Sequence, residues 1–362
     1  MGIKIALVPW DKNIQKDNIY QEKENGSLSW HILFYRAFQQ RNIVFHTIDM
    51  YADLREVDYF LFFALEYDWL NRVISAGLAD RMIYCSGEPE VVKPINSRKG
   101  YEKLKRLFPY ILTWNPELTD QKRIFIRNIP YYFEINREGL PFNERKLMTN
   151  ISGNKSSRIV NELYSEREKV ITFFEKKHPE DFDLYGTGWN REKHPSYLGI
   201  AEYKSDVYHR YKFALCLENT WNVKGYITEK ILDCLCYGIV PVYWGAKDIL
   251  DYIPENCFID YAKFGELEDL YHFLYTMDEK TYQTYLEAAG QWLKGDNIKT
   301  FSSEVFCENI IDALKQGEQV SIKVSFWEKI ILKFYEYAER WNDKAIIIRK
   351  NLKKRFMMFM GR

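Results

Sequence analysis

Residues Phe213–Gly245 read FALCLENTWNVKGYITEKILDCLCYGIVPVYWG. An apolar run, Phe213 to Leu217, has strand character and stops at Glu218-Asn219-Thr220. A loop with Gly225 follows. Thr228 stands where a helix N-cap belongs, ahead of Glu229, Lys230 and the apolar positions Ile231, Leu232 and Leu235. Gly238 ends that helix, and Ile239 to Trp244 is a second apolar, β-branched run halted by Gly245. Strand, loop, helix and strand in this order make a parallel βαβ crossover. Polar residues gather where the first strand ends and the helix begins. That is where open α/β sheets bind ligands, with free backbone N–H groups facing an anion.

The same alternation extends both ways. Toward the N-terminus, Ile3–Val8, Ile43–Ile48, Tyr59–Ala64, Arg81–Cys85 and Tyr110–Trp114 read as strands, separated by helical stretches at Ser29–Gln40, Trp69–Ala76 and Tyr101–Phe108. Strands alternating with helices imply a parallel sheet covered on both faces. Residues Asn136–Lys146 (NREGLPFNERK) lack periodicity and carry Gly, Pro and charge, so a domain boundary falls there. Beyond it a second α/β unit begins at Leu147, and its helices are expected to run on through Ser303–Lys315. The expected division is therefore an α/β domain over 1–140, a second over 147–320, and a distinct tail over 325–362.

The chain has 362 residues, too long for one ordinary core, which agrees with two domains. Its composition is 46% hydrophobic and 28% charged, that of a folded globular protein. Lys+Arg and Asp+Glu balance at 51 each, so net charge offers no footing for a nucleic-acid partner. The first ten residues are not expected to act as a signal peptide, and no apolar run has the length of a membrane span. Six cysteines without paired spacing, mostly inside apolar runs, read as buried reduced thiols, as expected of a cytoplasmic protein. The tail is helical by pattern, with Trp327, Ile330, Ile331, Phe334, Tyr335 and Trp341 followed by a run whose charges are all basic: Arg349, Lys350, Lys353, Lys354, Arg355 and Arg362. An aromatic, basic amphipathic helix suits an anionic membrane surface, and the competing expectation is a helix packed on a domain.

The stretch 213–245 resembles the signature of the family 10 glycosyltransferases, the α1,3/4-fucosyltransferases, in their bacterial type. The family pattern, close to F-x-x-x-x-E-N, a loop, Y-[IV]-T-E-K, a helix and [VI]-P-[VI]-x-x-G, is filled by Phe213, Glu218, Asn219, Tyr226, Thr228, Glu229, Lys230, Val240, Pro241, Val242 and Gly245. Asp183-Leu184-Tyr185-Gly186 is similar to the family's D-x-Y-G strand end, and Ser86-Gly87-Glu88 to its short G-E segment. The resemblance covers about residues 80–260 and implies two Rossmann-like domains facing across a cleft, the GT-B-like arrangement. It further implies an inverting transfer of fucose from GDP-fucose to a glycan hydroxyl, without an essential metal or other cofactor.

Sugar transfer from a nucleoside diphosphate needs a base for the acceptor's proton and cations or N–H groups for the departing diphosphate. Lys230, in a first helical turn where the dipole favours acidic residues, makes sense if a phosphate sits at the same end. By resemblance Glu229 accepts hydrogen bonds from the donor's ribose, though a glutamate at a helix N-terminus is ordinary without one. The family places a phosphate-binding arginine in the first long helix of the second domain. Arg167 is favoured over nearby Arg158, since a helix orients a side chain better than a loop. Glu88 is the base that the resemblance implies, and a loop glutamate is the bland reading. Glu218, Asn219 and Tyr226 are expected in the donor pocket, with Tyr185 and Gly186 against the nucleotide. Asp181-Phe182-Asp183 is formally D-x-D, but two carboxylates alone make a poor magnesium cage, and no metal site is assigned.

The expectation is therefore a fucosyltransferase on the inner face of the membrane, acting on lipopolysaccharide, O-antigen or another surface polysaccharide. Its partners would be a nucleotide-sugar donor, a glycan acceptor and an anionic lipid surface. The alternatives are the same fold with another nucleotide sugar, or a non-catalytic glycan-binding protein at the membrane.

Overall fold

In the computed structural model, residues 2–21, 30–338 and 341 are described. Two all-parallel six-stranded sheets occupy the described chain. The first is built from β1 (Lys4–Val8), β2 (Val44–Thr47), β3 (Tyr59–Phe62), β4 (Met82–Cys85), β5 (Tyr110–Thr113) and β6 (Ile124–Ile126), in spatial order β2-β1-β3-β4-β5-β6. The second holds β7 (Lys146–Ile151), β8 (Phe182–Tyr185), β9 (Tyr197–Gly199), β10 (Tyr211–Leu217), β11 (Val240–Trp244) and β12 (Ile259–Asp260), ordered β12-β11-β10-β7-β8-β9. Continuous apolar runs become buried strands here because helices cover both faces, leaving no polar side to alternate toward.

Helices α1 (Trp30–Gln40), α2 (Tyr67–Ser75) and α3 (Arg98–Leu104) flank the first sheet. Helices α4 (Tyr164–Lys177), α5 (Lys204–Tyr208), α6 (Glu229–Cys236), α7 (Leu267–Thr276) and α8 (Glu279–Lys294) flank the second. The next helix, α9 (Ser303–Gln316), does not stay with the second unit, where the sequence pattern puts it. Its Phe306, Cys307, Ile310 and Ala313 are buried with Phe34, Phe38 and Leu112 of the first domain. The apolar stripe of a helix says that a partner sheet exists but not which one, and the chain crosses back over the cleft here.

Each sheet reverses its strand order once. In the first the reversal lies between β1 and β3, and in the second between β7 and β10. At such a switch point neighbouring loops leave in opposite directions and open a crevice beyond the strand ends. The two domains touch around it. Gly225 (φ +73°) brings its loop so close to the first domain that a Cβ there would lie 2.3 Å from the Trp114 carbonyl oxygen. The Trp114 and Tyr226 rings pack 4.8 Å apart, and Lys247 pairs with Glu117 at 2.9 Å.

The tail helix runs over 326–338. Leu332 is buried in the first domain's core with Ile322 and Val324 beside it. Glu328 pairs with Arg106 at 2.5 Å, Asn71 donates to Glu336 at 2.8 Å, and Tyr335 stacks on Tyr67. Its other side leaves Phe326, Trp327, Ile331, Phe334 and Trp341 exposed, Trp327 by 71%. The helix therefore packs on a domain and also carries an open apolar stripe. The basic positions from Arg349 to Arg362 lie outside the described residues. Among the described residues no helix is long and apolar enough to cross a membrane, and all six cysteines are buried and free.

Candidate active site

Thr228 caps α6 as its position suggests: the backbone is extended there, and its hydroxyl accepts from the Lys230 N–H at 3.4 Å. Gly238, at φ +66°, ends the helix region. What organises this corner is a carboxylate with no exposed surface. Glu218 leaves the end of β10 and accepts from the Thr228 N–H at 2.9 Å, the Thr228 hydroxyl at 2.8 Å and the Lys230 ammonium at 3.0 Å. It stands behind the pocket wall, not in it, and its role is to hold the first turn of α6. Burial opposes the Lys230 charge, but Glu218 and Glu229 outweigh it and hold the ammonium above the usual lysine pKa.

A cavity of about 200 Å³ opens at the second switch point. The ends of β7 and β10, the loop Ser152–Gly153, Lys155, Arg167, Lys204, Asn219, Tyr226, Glu229 and Lys230 line it, and Glu88 reaches it from the first domain. Arg167 is only 3% exposed, and it donates to the carbonyl oxygens of Leu217 at 2.7 Å and Glu218 at 3.2 Å. Its buried Nε has no hydrogen-bond partner. Burial lowers its pKa from the usual arginine value, and Tyr164 and Glu218 nearby favour the charged form. Arg158 does not line this cavity. Glu229 is 53% exposed, and the exposure is to the cleft, since the residue lines it. Enclosure there opposes ionisation, but Lys230 and Lys204 hold its carboxyl down at about 2.

Asn219 donates to the Tyr226 hydroxyl at 3.1 Å, and that hydroxyl lies 3.5 Å from the Glu88 carboxylate across the domain boundary. Two residues expected against the nucleotide stand further back. Tyr185 is buried with its hydroxyl 3.2 Å from that of Tyr211, and neither it nor Gly186 lines the cavity. Gly186 (φ +127°) instead lets the end of β8 press on the loop that does: a Cβ there would fall 1.9 Å from the Ser152 carbonyl oxygen. Asp181 and Asp183 flank the start of β8, at the other end of the strand, where Tyr271 donates to Asp181 at 2.9 Å and Tyr211 to Asp183 at 2.6 Å. Lys204 escaped the sequence reading. It pairs with Asp233, and the only signal was a lysine near an apolar segment.

A larger cavity, about 690 Å³, adjoins the first. Trp10, His31, Phe63, Arg127 and the Gly87–Glu88 corner line it from the first domain, and Glu229 and Asp233 of α6 with Tyr237 just beyond it from the second. Among the described residues, Glu88 and Glu229 alone line both cavities. Glu88 is held through its backbone: Asn96 donates to its carbonyl oxygen at 2.6 Å and accepts from the buried Tyr84 hydroxyl at 2.7 Å.

Residues 148–325 match the family model described as glycosyltransferase family 10 (fucosyltransferase), C-terminal part. This is a glycosyltransferase family 10 domain. The family 10 domain contains the whole of the second sheet beyond Met148, α6 and the cavity's cations. An α-(1,4)-fucosyltransferase of Arabidopsis thaliana is 45% identical over 60 residues, 17% of this chain and 15% of the relative. A GDP-fucose protein O-fucosyltransferase 3 of Gallus gallus is 34% identical over 125 residues, 32% of this chain and 25% of the relative. The chain thus spans a quarter or less of the length of these two relatives. A crystallised α1,3-fucosyltransferase with GDP superposes over 89% of this chain and 93% of its own, with a TM-score of 0.54 at 15% identity. That likeness is one of fold: two Rossmann-like domains in the GT-B arrangement.

Proposed function

We propose that this protein transfers fucose from GDP-fucose to a glycan hydroxyl, α1,3-linked, with inversion at the anomeric carbon. The observation that carries this is the shared boundary: Glu88 and Glu229 lie where a cation-lined chamber meets an aromatic one. The smaller chamber is below the roughly 300–1,000 Å³ of sites that enclose a whole small ligand. It suits the diphosphate and the adjoining ribose, with Lys230 and Arg167 facing the phosphates and Glu229 accepting from the ribose. Asn219 and Tyr226 complete its wall. The acceptor approaches from the larger chamber. Glu88 takes the acceptor hydroxyl's proton, and that oxygen forms a bond to the anomeric carbon. The bond from that carbon to the β-phosphate oxygen breaks on the opposite face, and GDP leaves with the electron pair. The cations stabilise the charge developing on the diphosphate. No step uses a metal, and Asp181 and Asp183 line neither chamber.

The test is Glu88→Gln with a panel of GDP- and UDP-sugars, with and without EDTA. The variant is expected to lose about 10²–10⁴-fold in kcat, the usual contribution of a general base, while GDP-fucose still raises its Tm. Near-normal turnover overturns the base assignment. A donor screen in which GDP-fucose neither binds nor reacts overturns the whole reading, and EDTA-sensitive turnover overturns the metal-free step.

The protein acts at the inner face of a membrane, where surface glycans are assembled on lipids. The exposed stripe of Trp327, Ile331, Phe334 and Trp341 supports this, with the basic positions that follow it in sequence. Trp327→Ser/Phe334→Ser is expected to weaken binding to anionic vesicles about tenfold or more in a flotation assay. Unchanged flotation refutes the membrane role.

A further inference from the structure

The larger cavity has a definite chemistry that goes beyond its being open to an acceptor. It lies at the switch point of the first sheet: Trp10 follows β1, Phe63 follows β3 and Gly87–Glu88 follow β4. Trp10 stacks on His31 with ring centroids 5.6 Å apart and meets Phe63 edge-on at 5.4 Å, giving a rigid aromatic wall. Burial lowers the His31 pKa to about 4, so this wall is uncharged at neutral pH. The facing side is polar and its charges are largely paired: Glu88, Glu134, Glu229 and Asp233 line it with Lys93 and Arg127, while Lys204 pairs with Asp233 and Lys230 stands 3.9 Å from Glu229. Arg127 is buried, over the Phe306 ring at 5.5 Å, and its guanidinium donates to the carbonyl oxygens of Asn128 and Ser86. It is thereby engaged in pinning the strand ends that carry Glu88.

We propose that the Trp10–His31–Phe63 wall is a stacking platform for one neutral pyranose ring of the acceptor, which places a ring hydroxyl toward Glu88. A pyranose has an apolar C–H face and a polar rim. The cavity has an aromatic side for the first and carboxylates for the second. An acidic sugar is disfavoured by desolvation: a carboxylate-bearing ring would enter a partly enclosed space where Arg127, Lys204 and Lys230 are already engaged by carbonyl oxygens and carboxylates. The proposal rests on the transferase reading above and deepens it by naming the acceptor class.

The probes are methyl β-galactopyranoside, methyl β-glucopyranoside and galacturonic acid, observed by saturation-transfer NMR on the full chain at pH 7. The neutral glycosides are expected to show their strongest transfer at ring C–H protons, and galacturonic acid little or none. Trp10→Ala is expected to raise the glycoside Kd or acceptor KM by about tenfold or more. Trp10→Phe restores most of the affinity, because a ring face is what the platform supplies. GDP-fucose raises the Tm of both variants by the same amount as in the parent protein. Equal binding of neutral and acidic sugars, or a Trp10→Ala variant that binds glycosides normally, overturns the platform while leaving the donor reading intact. If Trp10→Ala fails to fold, the parent protein and Trp10→Phe still decide the matter: no ring C–H transfer in either one refutes it. Loss of GDP-fucose binding by the parent protein strikes the transferase reading, independently of the NMR result.

Discussion

Replacing Glu218 with Gln tests whether a hidden carboxylate sets the geometry of the site. Its side chain has no exposed surface and serves Thr228 twice and Lys230 once, at 2.8–3.0 Å. Glutamine keeps the volume and one acceptor oxygen but removes the charge and turns an amide toward a donor. Removing one partner of a buried ion pair costs about 3–5 kcal/mol, most of it the uncompensated charge left behind. Lys230 is 19% exposed and retains Glu229 at 3.9 Å, so part of that charge stays solvated or paired. The expected cost is therefore about 2–4 kcal/mol. A two-domain protein need not unfold in one transition, so the measurement is native-state hydrogen exchange over residues 213–245. At tenfold per 1.4 kcal/mol, the slowest amides of β10 and α6 should exchange roughly 30–700 times faster. Lys230→Met removes the other partner. The double variant should cost less than the sum of the singles by about 1–3 kcal/mol, as coupled neighbours do. Exchange within a factor of two of the parent protein, or strict additivity, would show that Glu218 does not organise this corner.

Two further outcomes follow from single positions. Gly186→Ala places a methyl 1.9 Å from the Ser152 carbonyl oxygen at φ +127°. It should cost about 3 kcal/mol and displace the Ser152–Gly153 loop that lines the cavity; a Tm within 1 °C of the parent refutes the close approach. His31 is held neutral by burial, with its pKa near 4 in the fold against about 6.5 unfolded. The unfolded chain therefore binds the extra proton between those values. The stability that His31 contributes is complete above pH 6.5 and is lost as pH falls toward 4. His31→Gln should flatten the fall in Tm over that window, and a parent–variant difference that stays constant from pH 7 to 4.5 refutes it.

Much of the second domain was legible in the linear chain because its determinants are local. Thr228 caps the helix it precedes, Gly238 ends the same helix, and the apolar runs on either side become adjacent parallel strands. A helix cap and a βαβ crossover involve residues close in sequence, so spacing alone reports them. One cation of the chamber follows from this, since Lys230 lies in the first turn of α6. Tyr185 and Gly186 show the limit of that logic. They lie one layer behind the wall because the position where β8 ends relative to β7 depends on strand register, which spacing does not encode.

Sequence by itself determined the two α/β units, the strand–helix corner around Glu229 and Lys230, and the helical start of the tail over 326–338. These rest on periodicity, caps and turns, which act over a few residues. Only the tertiary structure decided that α9 packs beneath the first sheet, that Glu218 is a buried brace, that Lys204 belongs to the chamber, and that Arg167 and not Arg158 lines it. It alone brought Glu88 to Tyr226 across 138 positions and set Trp10, His31 and Phe63 around one cavity. The reason is physical. A stripe or an isolated charge states that a partner is needed, but which partner is found depends on how whole sheets and helices share their buried surface.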